Sequence, residues 1–231
     1  YHGNVKEYLL INRSAQSRCF VLAVFCLLAI VPFINFLGDI NSKMSFPSFL
    51  SGLENWMRNM EDNAKVLIDK FMTVNGFGGL LFNVFMIAVL PAIGEEFMFR
   101  GVIQRIFTDW TRNHHWGIWV TAFVFSAMHM QFYGFLPRLV LGAMFGYLLV
   151  WTGTMWVPVL AHFFNNLVGV LGYFLIGKGT ISKDVEEFGT GQGELFVVII
   201  SVSVAGWLLY LIYKYGQQKT KMPANLEDSQ A

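Results

Sequence analysis

Six stretches of this chain stay apolar for roughly the 20 residues a helix needs to cross a bilayer. They cover about 19–37, 77–112, 116–132, 135–151, 156–176 and 195–215. Helices buried in a soluble core are usually shorter and alternate with polar ones. Composition agrees with the pattern. Hydrophobic residues make up 55% of the 231 positions, charged residues only 13%, and the mean hydropathy is +0.51. Soluble domains carry about a quarter charged residues. The expectation is an all-α, polytopic transmembrane bundle of about six spans, with the lipid bilayer as its solvent. A net charge of +1 gives no basis for a nucleic-acid partner.

Between the runs the chain has a readable order. The first run follows Arg13 and Arg18 and contains Pro32, which reads as a kinked span rather than a signal peptide, whose apolar core is shorter. Cys19 and Cys26 lie on one face of it, too far apart along the axis for a disulfide. The polar stretch that follows places Leu50, Leu53, Met57, Met60, Ala64, Leu67 and Phe71 at three- and four-residue steps. That spacing predicts an amphipathic helix over 47–72, lying on the membrane surface or capping the bundle. The second run passes from Phe77 through Pro91 into Gly94-Glu95-Glu96 and on to Arg112. This divides the chain into a first span with an extramembrane region (1–76), a core of four spans (77–176), a loop with the last span (177–215), and a polar tail expected to be disordered (216–231). A start at Tyr1 rather than Met leaves room for further spans before it.

Cationic flanks orient such a bundle. Lys6, Arg13 and Arg18 precede the first span, Arg100, Arg105 and Arg112 follow the second, and Lys214, Lys219 and Lys221 follow the last. Six crossings with both termini cytoplasmic satisfy these, and the short loops between them point to a bacterial inner membrane. Arg138 does not fit, since this count places it on the outer side.

Ionisable residues inside spans are costly, so each is a functional candidate. Glu96 and Arg100 are four apart and share a helix face, as a charge-assisted pair requires. Glu95 is rotated about 100° away and left for another partner. From Glu95 the helix descends about 27 Å to the turn near Asn113, and the next climbs about 18 Å back to His129. With ordinary tilt, His129 returns near the level of Glu95. His162 and Asn166, again four apart, face one way and form a pair of donors suited to an oxyanion. Asn165 points elsewhere on this reading. Each piece alone has a structural explanation: an ion pair at a helix end, a satisfied core histidine, interhelical hydrogen bonding. Their joint presence on three spans favours catalysis.

Glu95-Glu96 to Arg100, Phe125 to His129 and His162 to Asn166 together resemble the motif set of the CPBP family. This family comprises CAAX proteases and bacteriocin-processing, abortive-infection-type membrane proteins. The resemblance covers about Asn83 to Gly172. It implies an intramembrane endopeptidase acting on a peptide or membrane-protein substrate. By position, Glu95 and His129 activate water, His162 and Asn166 stabilise the oxyanion, and Glu96 and Arg100 organise the site. The family is often named an intramembrane metalloprotease. Glu95, His129 and His162 are candidate ligands for a divalent metal such as zinc, while a ligand set without a paired-histidine zinc motif is also consistent with a metal-free glutamate mechanism, the reading preferred at this point.

Two other classes compete. A proton-coupled transporter also uses buried Glu and His, but no inverted repeat or pair of broken helices is visible. A non-catalytic membrane scaffold would keep the fold without needing the intact set of polar residues.

Overall fold

A computed structural model describes residues 3–72, 76–191 and 193–221. A short helix α1 (Val5–Tyr8) leads into α2 (Ser17–Ser42), and α3 (Ser51–Met72) follows. Residues 76–111 form one long helix made of α4 (Gly76–Asn83), α5 (Leu90–Met98) and α6 (Gln104–Thr111), joined by π-helical turns at Val84–Val89 and Phe99–Ile103. Then come α7 (His114–Met128), α8 (Phe135–Thr152), α9 (Trp156–Gly177), α10 (Asp184–Glu187) and α11 (Leu195–Lys221).

The chain is a helical membrane bundle, and all six apolar runs are helical. Five helical segments, 17–42, 76–111, 132–152, 156–177 and 195–217, are long and apolar enough to cross a membrane. The run that becomes α7 is the exception. Its 15 residues extend about 22 Å, short of the roughly 30 Å of hydrocarbon. It forms a hairpin with α8 whose turn lies beside Glu95, and this accounts for the misfit of Arg138, which faces a cavity in the bundle.

α2 and α11 pack along one another through Cys19, Ala23, Cys26, Leu27 and Ile30 on one side and Ala205, Leu208 and Ile212 on the other. Both cysteines are free and buried, as core residues. The segment after α1 ties down the turn between α8 and α9: Met155 N donates to Leu10 O at 3.3 Å, Thr154 Oγ1 to Arg13 O at 2.6 Å and Trp156 Nε1 to Ile11 O at 2.9 Å.

α3 carries no buried residue. It rests on the bundle through Trp56 against Phe132 (5.4 Å between centroids), a Glu61 carboxylate accepting from Tyr133 N (3.2 Å) and a Tyr173 hydroxyl donating to Asp69 (2.9 Å). Near its start, Arg58 hydrogen-bonds Glu54 at 2.7 Å, and with the Phe46 N–H it holds that carboxyl below its usual range. Helix α11 continues past 215 to Lys221, because Gln and Lys after Gly216 sustain helix. The rest of the expected tail, 222–231, lies outside the described residues.

Close approach of α8 to the long helix and α7 depends on two glycines four apart. A Cβ on Gly142 would lie 3.2 Å from Phe125, and one on Gly146 2.7 Å from Gln104 Oε1 and 2.9 Å from Ile118. Small residues at such crossings let membrane helices meet backbone to backbone. They also expose carbonyls: Arg100 Nη2 donates to Gly142 O (3.0 Å) and Gln104 Nε2 to Gly146 O (3.3 Å).

We expect Gly146→Val to cost about 1–3 kcal/mol through overpacking, measured as an earlier unfolding transition in detergent micelles. Gly172→Ala, with nothing within 4 Å of the added carbon, should show no loss.

Candidate active site

The site is built outward from a buried charge pair. Glu96 and Arg100 are both 0% exposed, and Arg100 Nη1 lies 3.1 Å from Glu96 Oε1. An isolated charge at this depth would be very costly, so the pair exists only because the helix spacing matches the partners and the surroundings share the load. The guanidinium also donates to Gly142 O and sits over the rings of Phe125, Phe145 and Phe99 at 4.8, 5.6 and 5.9 Å, which adds cation–π attraction.

Glu96 Oε1 has a second partner, His162 Nδ1 at 2.8 Å. The His162 ring is stacked on Phe145 (5.2 Å, 20°) and meets the edge of Phe125. His129, at the C-terminal end of α7, turns its Nδ1 to the carbonyl of Phe125 at 2.7 Å. A carbonyl only accepts, so His129 Nδ1 donates. A carboxylate likewise takes the proton of His162 Nδ1. In the neutral rings both Nε2 atoms then carry a lone pair.

These two Nε2 atoms converge on Glu95, His129 at 3.9 Å and His162 at 3.8 Å from Oε2. Glu95 Oε2 is buried and has no hydrogen-bond partner among the described residues. Three acceptors thus face one point, which calls for a proton donor or a cation. A water donates to two acceptors, and one about 2.8 Å from each atom of such a pair suits separations of 3.8 and 3.9 Å. The donor types are also those of a zinc site, but ligands of tetrahedral zinc lie only about 3.4 Å apart, given metal–ligand bonds near 2.0–2.1 Å. Consistently, no group of three or more His, Cys, Asp or Glu among the described residues is spaced for a metal ion.

Local backbone irregularities aim these side chains. The π turns on either side of α5 shift the register around Glu95 and Glu96, and such bulges are frequent at functional sites. Pro91 has no N–H to give to the carbonyl of Ile87 four residues earlier. Asn166 Nδ2 donates to that carbonyl at 3.1 Å. One amide proton of Asn166 is therefore structural and the other is available to the cavity. After His129 the chain reverses through Met130 at φ +55°, a left-handed turn usually taken by glycine.

The cavity has a volume of about 440 Å³. Glu95, His129, His162 and Asn166 line it, while Glu96 and Arg100 stand behind His162. Asn165, expected to point elsewhere, also lines it and donates to Asn166 Oδ1 at 3.2 Å. The cavity is wide enough that neighbouring positions on α9 both reach it. Gln131 and Arg138, which helical spacing does not single out, also line it. The signal for Arg138 was its misfit with the charge distribution. On another side, Ile68 and Met72 of α3 close the cavity.

Comparison with known proteins picks out the same region. Residues 77–168 match the family of type II CAAX prenyl endopeptidases described as Rce1-like. That segment holds all three motifs, so the resemblance read from them is shown over it. A 90-residue stretch is 29% identical to the uncharacterized protein YpbD of Bacillus subtilis (strain 168), covering 37% of this chain and 43% of that protein. The chain thus spans less than half of that relative's length. No solved structure matches.

Because Arg100 neutralises Glu96 in a fully buried setting, Arg100→Met should cost about 3–5 kcal/mol by leaving an uncompensated carboxylate. Glu95→Gln, which removes a charge lacking a hydrogen-bond partner, should leave thermal stability in micelles unchanged or raised.

Proposed function

We propose that this protein is an intramembrane endopeptidase of the CAAX-protease type, hydrolysing a peptide bond in a membrane-associated protein or peptide. The observation that supports this most is the convergence of Glu95 Oε2 with the Nε2 atoms of His129 and His162 on one wall of a cavity large enough for a peptide segment. We read the mechanism as metal-free, because the donor separations suit a hydrogen-bonded water.

In this reading, water sits between Glu95 and His129. Glu95 takes its proton as the oxygen attacks the scissile carbonyl, the work of a positioned general base. His129, held by the Phe125 carbonyl, orients the water and supports the charge change on Glu95. The tetrahedral oxyanion then needs donors. Asn166 offers its second amide proton. His162 serves with an Nε2 proton taken from solvent before the attack and kept through the turnover, since Glu96 keeps Nδ1 occupied as a donor. Collapse of the intermediate breaks the C–N bond, and the proton held by Glu95 passes to the departing amine. Glu96 and Arg100 act through His162 as positioning residues.

A transporter would need a second gated path to the polar cluster, and a scaffold would not need two oriented imidazoles beside an unpaired carboxylate. Glu95→Ala and His129→Ala should each abolish cleavage of a membrane-embedded peptide by the purified, folded protein. Asn166→Ala should reduce kcat by about 10²–10³-fold with little change in KM. Retained cleavage by the Glu95 variant would remove the general-base assignment.

A further inference from the structure

Arg138 is the one cationic side chain on the wall of the catalytic cavity among the described residues. It lies in the first turn of α8, where the helix dipole disfavours a cation. Its guanidinium is folded back onto the preceding turn, with Nη1 donating to Gln131 O at 2.7 Å and Nη2 to Gln131 Oε1 at 3.0 Å. The turn is shaped for it: a Cβ on Gly134 would lie 2.5 Å from Nη2. Both partners of the guanidinium are neutral, and no carboxylate lies within 4.0 Å of it among the described residues. Glu61 on α3 acts on Arg138 only through its charge, without touching it, and accepts the Tyr133 N–H. A guanidinium has five N–H groups, so the two bonds to Gln131 fix its plane and leave donors for a ligand. Arg138 also lies close enough to His129 for its charge to act on that ring.

A fixed, half-buried cation that no carboxylate touches among the described residues, beside a peptide-sized cavity, is an anion subsite in waiting. A planar fork selects carboxylate through paired N–H···O bonds. Accepting the peptidase reading, we propose that Arg138 is a substrate-binding residue that engages a carboxylate of the peptide, so that the enzyme selects substrates presenting a carboxylate within the cavity's reach of the scissile bond. Two sources share this chemistry, a free C-terminus and an acidic side chain. The first is compatible with a cavity that ends at the turn 131–134 and the second with a groove that continues past it.

Binding separates this inference from the catalytic reading. The Glu95→Gln protein, in micelles, is titrated with fluorescent apolar hexapeptides by anisotropy. The peptides differ only in a C-terminal acid or amide, or in Glu or Gln at an internal position. One carboxylate form should bind roughly tenfold or more tightly than its neutral counterpart, as expected of a charge-assisted pair. Which form does so identifies the source. Arg138→Gln should erase the difference while binding the neutral peptide as before. Should that variant fail to fold, Arg138→Lys, which keeps charge but not the fork, should narrow the difference. Equal binding of charged and neutral peptides, or a preference that survives Arg138→Gln, would overturn the proposal. Carboxylate preference in the Glu95→Gln protein, with no cleavage of the same peptides by the unsubstituted protein, would instead sink the peptidase reading and leave this subsite standing.

Discussion

The buried pair between Glu96 and Arg100 is the interaction on which the rest of the site depends. It lies at a depth where neither charge would survive alone, and its components reach out to three other elements. Arg100 holds α8 through the carbonyl of Gly142, and its plane rests on the aromatic rings of Phe99, Phe125 and Phe145. Glu96 holds α9 through Nδ1 of His162. One carboxylate oxygen therefore fixes both the packing of the core and the proton position on a cavity-lining imidazole. Glu95, the adjacent residue, lines the cavity instead, with a buried oxygen that has no hydrogen-bond partner among the described residues. Adjacent glutamates thus take opposite tasks because consecutive helical positions face different surroundings.

Phe125 links the two histidines in a similar way. Its carbonyl orients His129, its ring lies under Arg100, and its edge meets His162. The spacing from Phe125 to His129 is one helical turn, which is what a backbone carbonyl needs to reach the imidazole of a residue four positions on. Departures from regular helix then set the angles: π turns flank α5, and Met130 takes a left-handed conformation. Proline at 91 creates an unpaired carbonyl that Asn166 fills.

Much of this arrangement was legible in the sequence. Apolar runs gave the helical membrane bundle, and the four-residue step from Glu96 to Arg100 gave the ion pair. Constant helical rise brought His129 back to Glu95. Other features depend on which neighbour a face meets, and periodicity is silent on that. The face shared by His162 and Asn166 was readable, but not that His162 would give Nδ1 to Glu96 or that Asn166 would serve Ile87. Asn165 reaches the cavity because of the cavity's width, which its angle on the helix does not reveal. The shortness of α7 was hidden because apolar composition continues past Met128 into the turn. Arg138 was visible only as an anomaly, and its meaning required the Gln131 contacts and the glycine beside it.

The account stands on water being the nucleophile and Glu95 its base. A single turnover in ¹⁸O-enriched water, using enzyme in excess over a peptide it cleaves, tests this most directly. Mass spectrometry of the product and of the Glu95-containing fragment reads where the label goes. Direct attack predicts one ¹⁸O in the new product carboxylate in the first turnover and none in Glu95. An unlabelled first product together with ¹⁸O in the Glu95 carboxylate would mean that Glu95 attacks the substrate itself through an acyl-enzyme anhydride, and would contradict the account.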